Sequence, residues 1–347
     1  MKALSLNQRI QVLADLGEFL KSELNNAPFN EAFEDLLNKV NGYNPWFTKN
    51  SVLQSLTAWS HLLNANDLNQ FVNTYNRNLF EKKIEKVVLL ILAGNIPLVG
   101  FHDVICSFLS GSKSMIKVSS KDSLLVNYLI RQIITINPDT TEYFEIIEGK
   151  ATAFTHVIAT GSTNSARYFD HYFSKFPHII RKNRNSLAII EKDTSDIEMK
   201  NLAKDVFQYF GLGCRNVTKL FVPCDFDFDR LKDAFQTSTN VINHNKYANN
   251  YDYHKAIALM NGDSFIDFDF ILLQNKEALK SPLGVLHFSE YQNTSEVDSY
   301  IKQNREHIQC VVCRECNDSN QVPFGQTQQP KLWDFADQID TLQFLLS

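Results

Sequence analysis

No stretch of this chain is apolar for long enough to cross a bilayer; the longest such run, VVLLILAG at 87–94, suits a single buried strand. The N-terminal MKALSLNQRIQVLADLGEFL has no short apolar core with a small-residue cleavage site, which argues against a signal peptide. Basic residues form no broad field. The 34 Lys and Arg are outnumbered by 39 Asp and Glu, interspersed, for a net charge of −5, so no nucleic acid partner is expected. There is no internal repeat, low-complexity tract or flexible linker. A Walker phosphate loop, a GxSxG elbow, an HExxH pair and a GxGxxG fingerprint are all missing. These absences lead us to expect a cytoplasmic protein without a transmembrane segment. Its cysteines at 106, 214, 224, 310, 313 and 316 are then expected to be mostly reduced thiols.

What is present is a chain of 347 residues, 44% hydrophobic, which suits two domains or one large α/β unit. Residues 1 to about 75 carry apolar side chains at helical spacing. Ser5 and Gln8 form a capping box ahead of the stripe Ile10, Leu13, Leu16 and Leu20. NPWF at 44–47 interrupts the helices, and Trp46 and Trp59 read as packing residues. From about 85 strands alternate with helices. KVVLLILA, SMIKV, EYFEII and HVIAT read as strands; FHDVICSFLS, SLLVNYLIRQIITI and TNSARYFDHYF read as helices. Gly111 is placed to end the first of these helices. A second series has strands SLAIIE, VTKLFVP, FILLQ, GVLHF and IQCVVC, with helices over 196–210 and SEVDSYIKQN. This alternation predicts parallel sheets covered on both faces, with ligands at the carboxyl ends of strands.

Five segments carry candidate chemistry. ATGSTNSARYF (159–169) offers Gly161 for close approach, Ser162 as cap or phosphate donor, and the free N–H groups of a helix start. An ordinary capped helix reads the same way. IKVSSKDS (116–123) sets Lys117, Ser119, Ser120 and Lys121 at a strand's carboxyl end. These residues suit a phosphorylated ribose, or a solvated helix start capped by Ser120 or Asp122. AGNIP (93–97) holds Asn95 where its amide could face an oxyanion, although Asn also simply favours turns. GLGCRNV (211–217) places Cys214 between a helix and a strand beside Arg215, either as a nucleophile with a lowered pKa or as a small buried residue. HIQCVVCREC (307–316) spaces His307, Cys310, Cys313 and Cys316 evenly, but on a strand Cys310 and Cys313 face opposite sides. No metal site is expected there.

In this order and spacing the segments resemble the aldehyde dehydrogenase superfamily, and within it the LuxC-type acyl-CoA reductases. The carriers are LAGNIPLVGFHDVICSFLSGSKSMIKVSSKDS (92–123), VIATGSTNSARYF, FGLGCRNVTKLFVP (210–223) and VPFGQTQQPKLWDFAD (322–337), and the likeness spans about 40 to 347. The resemblance implies an α/β fold with a Rossmann-type dinucleotide-binding domain (1–185) and an α/β catalytic domain (186–347), with the catalytic cleft between them. It makes Cys214 the acyl-accepting nucleophile and Asn95 the oxyanion asparagine. It sets Lys117, with Ser119 and Ser120, on the adenosine ribose, and Gly161 and Ser162 on the pyrophosphate. Two departures matter. RKNRNS (181–186) puts Arg181 where hydrolytic relatives carry a glutamate base, which favours a thioester that survives until hydride or thiol attacks. Ser120 stands near the position of an NAD-selective carboxylate, which favours NADPH. SPLG (281–284) also replaces the usual glutamate-containing ribose motif. The implied activity is NADPH-dependent reduction of a long-chain fatty acyl-CoA or acyl-carrier-protein thioester to the aldehyde, in a homo-oligomer with a possible acyl-supplying enzyme partner. A cysteine-dependent acyltransferase and a silent partner subunit remain the alternatives.

Overall fold

A computed structural model describes residues 4–26, 28–81, 86–161 and 163–347, and of Thr163 only the backbone. The chain forms two compact units, Met1–Lys182 with Lys331–Ser347, and Asn183–Pro330.

The first unit opens with four helices, α1 (Leu6–Asn25), α2 (Glu31–Tyr43), α3 (Lys49–Leu62) and α4 (Ala65–Asn73). The Ser5–Gln8 capping box is present, and Ile10, Leu13, Leu16 and Leu20 are all buried. α1 packs on α3, α4, α5 and α6, so the amphipathic stripe is what joins the helical segment to the sheet that follows.

That sheet contains β1 (Val87–Ile91), β2 (Lys113–Lys117), β3 (Phe144–Ile146), β4 (His156–Thr160) and β5 (His178–Arg181). All pairs are parallel, in the order β3-β2-β1-β4-β5. The crossovers carry α5 (Phe101–Ser110), α6 (Ser123–Ile136) and α7 (Thr163–Phe173). α5 stops at Gly111, which is left-handed with φ 82° and needs no Cβ there. β1 is central: the chain moves outward through β2 and β3, then crosses back to β4 on the other side of β1. The carboxyl ends of β1 and β4 therefore flank a topological switch point, where open parallel sheets leave a crevice.

The second unit holds β6 (Asn185–Ile189), α8 (Asp196–Phe207), β7 (Val217–Pro223), α9 (Phe228–Phe235), α10 (Asn245–Asn261), β8 (Ile266–Asp267), β9 (Leu272–Asn275), β10 (Val285–Tyr291), α11 (Thr294–Gln303), β11 (Ile308–Val312) and β12 (Gln321–Val322). Its sheet runs β12-β11-β6-β7-β10-β9-β8, parallel except between β8 and β9. Among the described residues, no helix is long and apolar enough to cross a membrane.

Three expectations need correction. The tail beyond 330, assigned from sequence to the second half, folds with the first unit. Lys86, buried at the start of β1, donates to the carbonyls of Leu345 and Ser347 at 2.8 Å, and Tyr75 donates to Asp340 at 2.8 Å. A buried ammonium must find acceptors, and the end of the C-terminal helix (Thr341–Leu346) supplies them. The helix read over 196–210 stops at Phe207, and Tyr209, Phe210 and Gly211 are all left-handed (φ 52°, 59° and 77°). Of the strand read as EYFEII, only Phe144–Ile146 pairs, because a 3₁₀ turn from Pro138 runs through Tyr143.

Candidate active site

The loop Gly211–Asn216 is built around one fully buried amide. Asn216 Nδ2 donates to the carbonyls of Asp205 (3.0 Å), Val206 (3.4 Å) and Gln208 (2.9 Å), and its Oδ1 accepts from the Gly213 N–H at 2.8 Å. Helix α8 thus finds a donor for its carbonyls at Asp205 and Val206 in a side chain from beyond the turn, which is why it ends where it does. The left-handed residues then swing the chain back toward β7. Two of them are not glycine, a conformation costing about 1–2 kcal/mol each, and the Asn216 bonds offset it. Cys214 lies on this loop, half-buried, and its carbonyl accepts from Ser186 Oγ at 3.0 Å. Ser186 Oγ in turn accepts from the Cys310 N–H at 3.1 Å, so β6 and β11 hold the loop from below. Sequence reading singled out Cys214 and missed Asn216 and Ser186. The Asn two residues after the cysteine was the available signal.

Arg215, expected to act on the Cys214 thiol, has its Nε donating to the Thr327 carbonyl at 2.5 Å. Thr327 belongs to the PFGQTQQ segment, which Asp205 anchors. The Asp205 carboxylate accepts from the N–H groups of Gly325 (2.6 Å) and Thr327 (3.0 Å) and from Thr327 Oγ1 (2.8 Å). Burial still outweighs these bonds and pushes its pKa from 3.8 up to about 6. The folded state therefore holds more protons than the unfolded chain between those values. Its stability is expected to fall as pH rises from about 4 to about 6, by up to roughly 3 kcal/mol from this group. Urea unfolding across that window, compared with Asp205→Asn, checks this: the wild type should lose stability faster with rising pH, and parallel profiles would contradict it.

In the first unit the other candidates gather around the switch point. The AGNIP loop leaves the end of β1, with Asn95 exposed between buried Gly94 and half-buried Ile96. A Cβ on Gly94 would come within 2.4 Å of Ser119 Oγ, so glycine is what lets this loop lie against the end of β2. Pro97 O accepts from Ser55 Oγ at 2.9 Å, and the N–H of left-handed Leu98 donates to Asp122 Oδ2 at 2.7 Å. Asp122, offered by the sequence as a helix cap, makes no side-chain capping bond to α6 and steadies the Asn95 loop instead. Burial raises its pKa well above the usual carboxylate range. Lys117 is exposed at the end of β2 and makes no ion pair among the described residues, whereas Lys113 on the same strand pairs with Glu145 at 2.8 Å. Ser120 is exposed and Ser119 half-buried. Gly161 follows β4, and Ser162 lies outside the described residues. Lys117 ends β2, and Ser119, Ser120, Asn95 and Gly161 lie on loops, all at the carboxyl edge of three neighbouring strands, the edge that can accept an extended phosphorylated ligand.

Arg181 is no base. It ends β5, is buried, pairs with Asp103 of α5, and donates to Thr341 Oγ1 at 2.7 Å. Of the cluster at 307–316, the sulfurs of Cys313 and Cys316 lie 4.0 Å apart, and burial pushes the Cys313 thiol up to about 12.

The two α/β units have the fold of the aldehyde dehydrogenases. Solved structures agree: aldehyde dehydrogenase 21 from Physcomitrella patens, in complex with the reaction product succinate, aligns at TM-score 0.68 and 14% identity over 99% of this chain and 84% of its own. An NADP-dependent glyceraldehyde-3-phosphate dehydrogenase from Bacillus halodurans, complexed with NADP, gives 0.62 and 12% over 89% and 74%. A Mycobacterium tuberculosis aldehyde dehydrogenase complexed with NAD+ gives 0.62 and 15% over 86% and 71%. The sequence profile of the acyl-CoA reductase family LuxC matches residues 2–321, and the chain belongs to that family. It is thereby an oxidoreductase of the aldehyde-forming, acyl-reducing kind. Comparison with curated proteins returned no match.

Proposed function

We propose that the protein reduces a fatty acyl thioester to the aldehyde through an acyl group held on Cys214, with NADPH as reductant. The observation that carries this reading is the loop Gly211–Asn216 in a chain of this family: a cysteine fixed on a helix-to-strand turn by Asn216 and Ser186. The Cys214 thiolate attacks the thioester carbonyl, its S–C bond forms as the C–S bond to CoA breaks, and CoA leaves as the thiolate, which takes a proton from solvent. Asn95 donates its amide to the carbonyl oxygen as negative charge develops there. A bound nicotinamide dinucleotide supplies the hydride. Cys214 then leaves as thiolate when the resulting thiohemiacetal collapses to the aldehyde. By the resemblance Arg181 takes the place of the base that activates water in hydrolytic relatives, and here it is tied to Asp103; on this reading the thioester lasts until it is reduced.

Lys117, Ser119, Ser120 and Gly161, with Ser162, are the residues that would hold the dinucleotide. The chemistry of the set fits a 2′-phosphate. Lys117 is unpaired with any carboxylate among the described residues, and the nearest carboxyl group in the loop, Asp122, is buried and engaged by Leu98 N–H rather than presented to a ribose. Relatives of the same fold in complex with NADP or NAD+ support a nicotinamide cofactor. Asn95→Ala is expected to slow aldehyde formation from an acyl-CoA by roughly a hundredfold while leaving the rise in melting temperature caused by NADPH in place. A rate change under about twofold would remove Asn95 from the oxyanion role.

A further inference from the structure

Cys313 and Cys316 have no part in the chemistry proposed above, yet they stand as a pair at the two ends of CREC, just after β11. Their sulfurs lie 4.0 Å apart, and both are free thiols. A disulfide bond spans about 2.05 Å, so closing the pair takes a movement of about 2 Å by one sulfur. Cys313 is the fixed partner: it is 7% exposed, and its N–H donates to the Val322 carbonyl at 3.1 Å. Cys316 is exposed on the irregular connection between β11 and β12. Exposure also sets the order of reaction. A dissolved oxidant meets Cys316 first, while burial pushes the Cys313 thiol up to about 12.

The pair lies within a segment that meets the Cys214 loop at both ends. At its start the Cys310 N–H donates to Ser186 Oγ, which donates to the Cys214 carbonyl, at 3.1 and 3.0 Å. At its end the Thr327 carbonyl accepts from Arg215 Nε. Between these points the N–H groups of Asn317 and Asp318 donate to Gln321 Oε1 at 2.7 and 3.1 Å. Gln321 and Val322 form β12, which runs directly into PFGQT. Arg314, between the two cysteines, bonds to Glu198 at 3.0 Å and to Asp193 at 2.6 Å, tying the bend to the start of α8 and the turn before it.

We propose that Cys313 and Cys316 are an oxidisable dithiol that closes to a disulfide against a small disulfide such as oxidised glutathione, and that closure slows acylation at Cys214. The second half rests on the reading of Cys214 as acyl acceptor. The Cys316 thiolate attacks one sulfur of glutathione disulfide. A new S–S bond forms as the old one breaks, and one glutathione leaves as thiolate and takes up a proton. Cys313, its proton lost to solvent, then attacks the Cys316 sulfur, and the second glutathione leaves in the same way. Two protein thiols are oxidised and one glutathione disulfide is reduced to two thiols. As Cys316 moves toward Cys313 it draws Asn317 and Asp318 along, and Gln321 passes the displacement to the run that holds Arg215 beside the nucleophile.

One set of measurements on the full chain tests both halves. The protein is treated with excess glutathione disulfide, quenched, denatured, labelled with N-ethylmaleimide and weighed. All six cysteines are free thiols in the reduced form; the closed form should take two labels fewer and carry no glutathione at 313 or 316. Trypsin cleaves after Arg314, so the two resulting peptides should stay joined until reduced. Among molecules free of glutathione, the closed form should accept an acyl group from an acyl-CoA roughly tenfold or more slowly than the reduced form. Dithiothreitol should restore the rate. Cys316→Ser, a change at an exposed side chain, should keep the untreated rate and form no joined peptides. Any slowing it still shows after treatment measures glutathione on Cys214 itself. Full labelling after treatment, or glutathione held on Cys316 without closure, would overturn the dithiol. Closure that leaves acylation within about twofold of the reduced rate would overturn its link to Cys214. If neither form takes up an acyl group, the Cys214 reading fails, and the label count alone judges the pair.

Discussion

Cys214→Ala is expected to lower aldehyde formation by at least roughly ten-thousandfold, because the acyl group then has no sulfur to occupy and direct transfer to the thioester is not set up by the site. The fold should survive. Cys214 is half-buried, and the loop around it is held through backbone groups that alanine retains: its carbonyl to Ser186, and the Gly213 N–H to Asn216. The variant should therefore keep its melting temperature within a degree or two and still gain stability from NADPH. Losing activity and cofactor response together would mean that the cysteine is a packing residue.

Asn216→Ala is expected to have the second largest effect, and it acts on fold and chemistry at once. The substitution takes the partner from the carbonyls of Asp205, Val206 and Gln208 and from the N–H of Gly213; Asn216 itself is fully buried, the first two bonds are buried and the other two half-buried. Leaving such groups unsatisfied should cost about 2–4 kcal/mol, measurable as a lower denaturation midpoint. With the bonds gone, nothing in that side chain offsets the left-handed conformations at Tyr209 and Phe210, and the loop should relax. A displacement of about 1 Å at a nucleophile costs on the order of a hundredfold in rate, so acylation should slow by at least that factor in the molecules that remain folded. A destabilisation below about 0.5 kcal/mol with undiminished acylation would show that the loop is held by other means.

Much of the fold was legible because it rests on local patterns. The apolar runs at 87–91 and 156–160 and the stripes of α1 and α6 identify their elements, and Gly111 marks the end of α5. Elements without such a pattern were not. α10, NKYANNYDYHKAIALMN, buries only Tyr247, Tyr251 and Ala258 and shows no aliphatic stripe. β5 is a four-residue edge strand that follows Pro177, and only its last residue, Arg181, falls in a segment that the sequence singles out. The site divides the same way. Cys214, Asn95, Lys117 and Gly161 stand out by residue type at the ends of strands. Asn216, Ser186, Asp205 and Asp122 do their work through bonds to residues distant in sequence or to backbone groups, as when Asp205 reaches Gly325 and Thr327. Spacing alone carries no trace of such pairings. The tail was misplaced for the same reason: what ties it to the first unit is Lys86 with the last helix, a contact that joins the chain's end to β1.

The most direct test of the account is the intact mass of the wild-type protein after exposure to an acyl-CoA, first alone and then with NADPH. The account predicts a single acyl adduct on Cys214, cleared on addition of NADPH with release of one equivalent of aldehyde. An adduct on Cys214 that NADPH leaves in place would contradict the reductase reading and point to acyl transfer; an adduct on another residue, or none with any acyl donor, would contradict the assignment of Cys214 itself.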